Sequence, residues 1–174
     1  MKKAYLAGGC FWCIESDLIK RPGVESVVSG YIGGTKESAN YEAVCSGLTE
    51  HREAVCVTYD ENVTTYQDLV EYFWTCIDPT NPYGQFADIG PQYKTAIYFS
   101  NEDEKKIAQA SKVDLSQSNR FNDEIVTDIL EATEFYEAET YHQEYYKKAP
   151  DHYKRYRIGS GREGFIINKW GDKR

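Results

Sequence analysis

Short apolar runs and amphipathic stretches alternate in the first part of the chain. Residues 4–7 form an apolar run that stops at a pair of glycines, and residues 11–20 then place apolar side chains at helical spacing with acids between them. This pattern predicts a strand, a glycine turn and a helix. Two β-branched runs, residues 24–32 and 54–59, predict two further strands.

The middle of the chain carries a helix signal followed by a loop signal. Thr65 and Asp68 form a capping box, after which apolar side chains fall on one helical face, at Tyr66, Leu69, Val70, Phe73 and Trp74. Residues 78–91 then hold three of the five prolines and no apolar period. A stretch of this length predicts a loop, and its aromatic residues favour a functional one.

The remaining segments complete a mixed pattern. Residues 93–99 predict a strand, residues 101–115 a capped helix and residues 125–130 another strand. Beyond residue 131 the chain is rich in tyrosine, and we predict an ordered wrap with a short helix over residues 140–148. The order βαββαβαβ lacks strict βαβ alternation, so we expect an α+β two-layer sandwich with a mixed β-sheet, packed helices and a long aromatic-rich C-terminal wrap.

Composition sets the number of domains and excludes some functions. The chain has 174 residues, of which 41% are hydrophobic and 28% charged, so it can bury a core as one domain. No apolar run approaches the roughly 20 residues that span a bilayer, so we predict no membrane partner. The net charge of −8 argues against nucleic-acid binding. Residues 147–174 nevertheless hold nine basic and three acidic side chains, which predicts docking of this segment on the acidic body.

The cysteines indicate a reducing compartment. The chain has five of them, an odd number in a sequence large enough to fold without disulfides. Reduced thiols in a cytoplasm are the better interpretation, and at least one thiol could then be reactive.

Cys10 is the candidate for that reactive thiol. It follows two glycines and stands at the predicted start of a helix, where unpaired backbone N–H groups and the helix dipole stabilise a thiolate. We therefore expect its pKa to lie below the free value of about 8.5. A small buried cysteine without chemistry remains the alternative.

The residues after Cys10 suggest both a binding wall and a second thiol. Phe11 and Trp12 could form an apolar cage for a methyl or thioether group, or serve as core anchors. Cys13 completes a Cys-x-x-Cys motif whose thiols could form a disulfide.

Three other interpretations of the motif stay open at this point. A thioredoxin-like oxidoreductase would carry a longer β-α-β stretch before the motif. A zinc site built from Cys10, Cys13, Cys45 and His51 has no familiar spacing. A cysteine hydrolase would pair Cys10 with His51 or His142.

Seven ordered motifs resemble those of the type A peptide methionine sulfoxide reductases. They are Gly-Cys-Phe-Trp at 9–12, Gly-Tyr-Ile-Gly-Gly at 30–34, Tyr-Glu-Ala-Val-Cys-Ser-Gly at 41–47, His-Arg-Glu-Ala-Val at 51–55, Tyr-Phe-Trp at 72–74 with Asp-Pro-Thr at 78–80, Asp-Ile-Gly-Pro-Gln-Tyr at 88–93, and Tyr-His-Gln at 141–143. The resemblance implies a single catalytic domain over residues 1–174 that reduces methionine S-sulfoxide, protein-bound or free, without metal, flavin or other cofactor.

The resemblance also implies roles for individual residues. Cys10 would be the nucleophile and Glu53 the acid that protonates the leaving oxygen. Tyr41 and Tyr93 would hydrogen-bond that oxygen, and Asp88 would support the polar network. Phe11 and Trp12 would bind the ε-methyl group. Without the resemblance, the residue pattern predicts that Glu53 is a surface acid at a strand edge and that Tyr41 and Tyr93 are packing residues.

The resemblance leaves recovery of the oxidised cysteine open. Many members carry recycling cysteines in a glycine-rich C-terminal tail, and residues 157–174 contain none. Either Cys13 resolves a sulfenic acid on Cys10, or an external thiol such as thioredoxin, glutaredoxin or glutathione attacks it, and we favour the external route slightly. Two alternatives to the reductase are a general thiol-disulfide oxidoreductase and a non-catalytic binder of oxidised or methylated side chains.

Overall fold

A six-stranded sheet runs through the computed structural model, which describes residues 1–171. Its spatial order is β7-β6-β1-β3-β2-β8, and all neighbours pair antiparallel except β6 and β7. The strands are β1 (Lys2–Ala7), β2 (Val24–Ile32), β3 (Arg52–Tyr59), β6 (Ala96–Phe99), β7 (Asp128–Glu131) and β8 (Phe135–Glu137), and a separate hairpin joins β4 (Gly84–Gln85) to β5 (Asp88–Ile89).

The helices surround this sheet and begin at recognisable caps. The side chains of Asn40, Thr65 and Asn101 each accept a hydrogen bond from a backbone N–H of the first turn, which stabilises three helix starts. The helices are α1 (Phe11–Leu18), α2 (Tyr41–Cys45), α3 (Tyr66–Trp74), α4 (Glu102–Gln117), α5 (Tyr145–Lys148), α6 (Pro150–Gly159) and α7 (Arg162–Trp170). Among the described residues, no helix is both long and apolar enough to cross a membrane.

The main core lies between the sheet and helices α1, α3 and α4. In the register of the central strands, Leu6 of β1 pairs with Val55 of β3, and both are fully buried. Because side chains alternate along a strand, Glu53 and Val57 lie on the same face as Val55. The register of β3 therefore turns Glu53 toward the core side of the sheet, where it is buried.

The α+β architecture with a mixed sheet and packed helices is confirmed, but several boundaries differ. The predicted strand 93–99 begins as a 3-10 turn at Pro91–Tyr93, and only Ala96–Phe99 pairs in the sheet. The predicted helix 140–148 divides into a 3-10 turn at Thr140–His142 and α5, with Glu144 between them in the left-handed region. At these points the backbone leaves the strand and helix dihedral angles that the sequence pattern predicted.

The C-terminal wrap contains elements that periodicity did not show. Strand β8 extends the sheet beside β2, while α6 and α7 form two consecutive helices. The basic segment docks on the body, as expected: Arg157 Nη1 lies 3.1 Å from Asp17 Oδ1 of α1, and both side chains are buried. Residues 172–174 of that segment lie outside the described residues.

Candidate active site

Cys10 stands at the junction between β1 and α1. The preceding Gly9 has φ +82, a conformation that favours glycine, and a Cβ on Gly8 would lie 2.6 Å from Ile14 Cδ1. This glycine pair lets the chain turn sharply, so that the Cys10 side chain leaves the backbone just before the first helical turn. The residue is only 6% exposed, yet it lines a cavity.

That cavity has a volume of about 80 Å³ and is lined by Cys10, Phe11, Trp12, Tyr41, Glu53, Asp88, Tyr93 and Tyr156. Since about 10–15 Å³ of such volume already holds a water molecule, the space admits a small chemical group. The structure thus brings together every residue to which the sequence assigned catalysis or substrate contact. A larger groove of about 480 Å³ near Tyr72 and Trp170 contains no thiol.

Glu53 reaches the cavity from the central strand β3. Its side chain is 2% exposed, and its Oε1 accepts the backbone N–H of Phe11 at 3.2 Å. Burial raises the pKa of Glu53 from 4.5 to about 8, the Phe11 hydrogen bond opposes this rise, and the negative charge of Asp88 adds to it. The carboxyl group therefore holds a proton at neutral pH, beside the thiol. The surface position that the residue pattern alone favoured for Glu53 is wrong.

Cys10 and Cys13 lie together with Tyr153 in one buried cluster. Burial raises the pKa of the Cys10 thiol well above its ordinary value, and Glu53 and Asp88 reinforce that rise. The hydrogen bond from Cys10 lowers the pKa of Cys13 to about 7, against its own burial and with help from Arg162 and Arg157. The lowered pKa predicted for Cys10 is therefore wrong for the resting protein, because burial outweighs the effect of the helix terminus.

Tyr41 and Tyr93 present neutral phenol groups to the cavity. A hydrogen bond with Cys45, followed by burial, raises the pKa of Tyr41, while burial and the charge of Glu53 raise the pKa of Tyr93. Both hydroxyls consequently keep their protons and can donate to an oxygen. The backbone of Tyr41 is fixed by its N–H, which donates to Glu139 Oε2 at 2.8 Å.

Asp88 enters from the short hairpin within the predicted loop 78–91. Burial raises its pKa, whereas the hydroxyl of Tyr156, which donates to Asp88 Oδ2, and the charge of Arg162 lower it. Tyr156 belongs to α6 and was missed from the sequence. The helix buries only Tyr153 and Arg157, so no apolar period pointed to it.

An aromatic wall closes the cavity on the side of Trp12. The indole Nε1–H donates to His142 Nδ1 at 3.1 Å, and the indole stacks on Tyr145 with ring centroids 3.9 Å apart. The Phe11 ring lies 5.1 Å from the His142 ring. The residues expected to form a cage thus do line the cavity, held in place by the C-terminal wrap.

His51 serves a structural purpose away from the thiols. Its Nδ1 accepts the N–H of Gly34 at 3.1 Å, and its Nε2 lies 2.7 Å from the carbonyl oxygen of Thr35. Both ring nitrogens are therefore engaged by the loop after β2. This arrangement argues against the pairing of Cys10 with His51 that a hydrolase would need.

Comparison with known proteins gives one consistent result. The family model described as "Peptide methionine sulfoxide reductase" matches residues 2–174. The chain is 55% identical over 170 residues to the peptide methionine sulfoxide reductase MsrA of Bacillus velezensis and to that of Bacillus subtilis, and each match covers 98% of this chain and 96% of the relative.

Solved structures agree with the fold. The crystal structure of Mxr1 from Saccharomyces cerevisiae in reduced form is similar to this chain with a TM-score of 0.81 and 30% identity, covering 86% of each chain. The methionine sulfoxide reductase A of Corynebacterium diphtheriae is similar with a TM-score of 0.74 and 32% identity, covering 86% of this chain and 75% of its own.

Proposed function

The chain belongs to the peptide methionine sulfoxide reductase family, and we propose how its own residues carry out that reaction. The protein is an oxidoreductase that uses a thiol to reduce methionine S-sulfoxide to methionine. The observation that supports the residue roles best is the convergence of Cys10 and the protonated Glu53 on one small cavity.

The first step transfers oxygen from the substrate to Cys10. As the Cys10 sulfur attacks the sulfoxide sulfur, an S–S bond forms, and Glu53 gives its proton to the sulfoxide oxygen. The hydroxyl group then moves to the Cys10 sulfur as the S–S bond and the substrate S–O bond break, so that methionine leaves and Cys10 becomes a sulfenic acid. The thiol proton that Cys10 loses balances the proton that Glu53 gives up. Methionine sulfur is reduced by two electrons, and Cys10 sulfur is oxidised by two.

Protonation by Glu53 is the demanding part of this step. An unprotonated sulfoxide oxygen is a poor leaving group, and an ordinary carboxyl group would be ionised at neutral pH. Because burial raises the pKa of Glu53 to about 8, the proton is present where the oxygen would lie. The phenols of Tyr41 and Tyr93, both lining the same cavity, would donate hydrogen bonds to the oxygen as its charge develops.

The aromatic residues orient the substrate. A methyl group attached to a polarised sulfur would lie against Phe11 and Trp12, since aromatic rings attract both sulfur and polarised methyl groups. Asp88, hydrogen-bonded to Tyr156, would hold the polar side of the cavity. Tyr156 is a further lining residue that the sequence did not suggest.

Recovery of Cys10 uses a second thiol. We propose Cys13, because it packs with Cys10 in one buried cluster and its pKa is lowered to about 7. Its thiolate would attack the sulfenic sulfur, form a Cys10–Cys13 disulfide and release the oxygen as water. Cys10 has a non-helical backbone as the cap of α1, so the pair is not confined within regular helix.

An external thiol reductant completes the cycle. Reduction of the disulfide needs two electrons that the chain does not supply, and thioredoxin, glutaredoxin or glutathione would provide them. A cytoplasmic location remains a prediction from the odd number of thiols, and residues 1–174 would act as one catalytic domain.

A single-turnover experiment tests these roles. Reduced protein is mixed with one equivalent of a methionine S-sulfoxide peptide without added reductant, and methionine and free thiols are both counted. We expect one methionine per chain and the loss of two thiols, and no methionine with Cys10→Ser. The control Cys56→Ser removes a thiol outside the cavity and should match the unmodified protein. Turnover by Cys10→Ser would contradict the proposal, and a mere binder would lose no thiol.

A further inference from the structure

Arg162 is an unusual residue for its position in the chain. It is the first residue of α7, close to the C-terminus, yet it is only 1% exposed. Among the described residues it has the largest fully buried side chain. None of the ion pairs found among residues 1–171 includes it. A buried charge without a carboxylate partner destabilises the folded state. Other groups must therefore compensate the charge of Arg162.

The guanidinium group lies against the turn that carries the nucleophile. Its Nη2 donates to the carbonyl oxygen of Gly8 at 3.0 Å, and its Nη1 donates to that of Cys76 at 2.7 Å. A Cβ on Gly9 would be 3.0 Å from the same Nη2, so the group also packs on the residue directly before Cys10. The ring of Phe86 covers the guanidinium at 4.8 Å.

The neighbouring arginine is compensated in the ordinary way. Arg157 of α6 pairs with Asp17 of α1 and with Glu163 of α7, so two carboxylates compensate its charge. Arg162 instead lies against the turn that precedes Cys10, and its charge favours the ionised forms of Cys13 and Asp88. The charged and titratable groups around the thiols are Asp17 of α1, Tyr41 of α2, Glu53 of β3, Asp88 of β5, Tyr93 of the 3-10 turn, Tyr153, Tyr156 and Arg157 of α6, and Arg162 of α7.

We infer that Arg162 is a positioning residue for the reduction: its guanidinium holds the glycine turn that presents Cys10 and supplies the positive charge that balances one negative charge shared by Cys10 and Cys13. This inference rests on the proposed role of Cys10. It gives the C-terminal helices a function in the reaction although they carry no cysteine, because α7 delivers the charge that the nucleophile site needs.

The shared charge explains how a buried thiol becomes reactive. With one proton between the two sulfurs, the Cys13 thiolate can accept the proton of Cys10 as Cys10 attacks the substrate. No bond to Arg162 forms or breaks in this transfer. Its charge only lowers the free energy of the state in which one proton has left the pair.

The pH dependence of thiol alkylation tests the inference without using the sulfoxide reaction. Reduced protein is treated with iodoacetamide over a pH series, and mass spectrometry locates and times modification of Cys10. The variants are Arg162→Met, Arg162→Lys and the control Arg155→Met, which removes an exposed arginine of α6.

Removing a nearby opposite charge raises a thiol pKa by about 1 to 3. We therefore expect the midpoint for Arg162→Met to rise by at least about one pH unit, with alkylation at pH 7 slowed about tenfold. Arg162→Lys should stay nearer to the unmodified protein than to Arg162→Met, and Arg155→Met should not differ. A folded Arg162→Met protein with an unchanged midpoint would overturn the inference, as would an equal shift in Arg155→Met.

Two further outcomes remain decisive. If Arg162→Met does not fold, Arg162→Lys decides, because it keeps the charge while losing the forked hydrogen bonds: a midpoint that rises by less than about one pH unit supports the inference, and a rise of about one unit or more contradicts it. If the midpoint shifts as expected but Cys10→Ser still reduces sulfoxide, the proposed function fails while the electrostatic role of Arg162 stands.

Discussion

Replacing Glu53 with glutamine removes the proton donor while keeping the size of the side chain. A positioned general acid contributes about 10²- to 10⁴-fold to a rate, so the single-turnover rate of Glu53→Gln should fall by that order. In the unmodified protein the rate should also decline as the pH rises through about 8, because Glu53 then loses its proton. Glu53→Gln should lack this decline.

The same substitution changes how stability depends on pH. Folding raises the pKa of Glu53 from 4.5 to about 8, so the folded state binds the proton more tightly than the unfolded state. The resulting stabilisation is fully present below pH 4.5 and is lost as the pH rises through about 8. At 1.36 kcal/mol per pKa unit, the loss is on the order of 5 kcal/mol.

Urea unfolding at pH 5 and pH 9 measures this effect. The free energy of unfolding of Glu53→Gln minus that of the unmodified protein should be several kcal/mol larger at pH 9 than at pH 5. The control Glu50→Gln replaces an exposed acid three residues earlier and should show no such increase. An equal free-energy difference at both pH values, together with an unchanged single-turnover rate, would refute the assignment of a buried, protonated acid.

Three further substitutions test the packing around the site. Gly30→Ala would place a Cβ 2.3 Å from ring and backbone atoms of β8, and should lower the free energy of unfolding in urea by about 1–3 kcal/mol; unchanged stability would contradict the fit of β8 on β2. Trp12→Phe loses the hydrogen bond to His142 and should raise KM about two- to tenfold with an intact fold; an unchanged KM would show that the bond does not orient the wall. Asp17→Asn removes a negative charge that compensates Arg157, and it should lower the free energy of unfolding in urea by about 3 kcal/mol. A smaller decrease would indicate that the ion pair is solvated.

The strands and capped helices were predictable because their signals are local. The apolar runs of β1 and β2 and the caps at Thr65 and Asn101 each act within a few residues. The burial of Glu53, in contrast, could not be predicted from local signals. Whether an acid on β3 is buried depends on which strands flank it, and only the sheet order places β3 between β1 and β2. The family resemblance supplied that role, and the pattern of the strand did not.

The C-terminal contribution to the site could not be predicted from periodicity. Helix α6 buries only Tyr153 and Arg157, and α7 only Arg162 and Ile166, so neither shows an apolar stripe. Their contacts reach residues more than a hundred positions earlier, and such long-range contacts leave no local signal. The protonation of Cys10 was mispredicted for a related reason, since a helix terminus acts locally while burial depends on the whole fold.

The central claim is that oxygen passes from the substrate sulfur to Cys10. The most direct measurement is intact and peptide mass spectrometry of Cys13→Ser, quenched after one equivalent of a methionine S-sulfoxide peptide in which the sulfoxide oxygen is ¹⁸O. The account predicts an added labelled oxygen on Cys10 and on no other cysteine, with one methionine formed per chain. Methionine formed with Cys10 unlabelled and unoxidised, or the label on another cysteine, would contradict it.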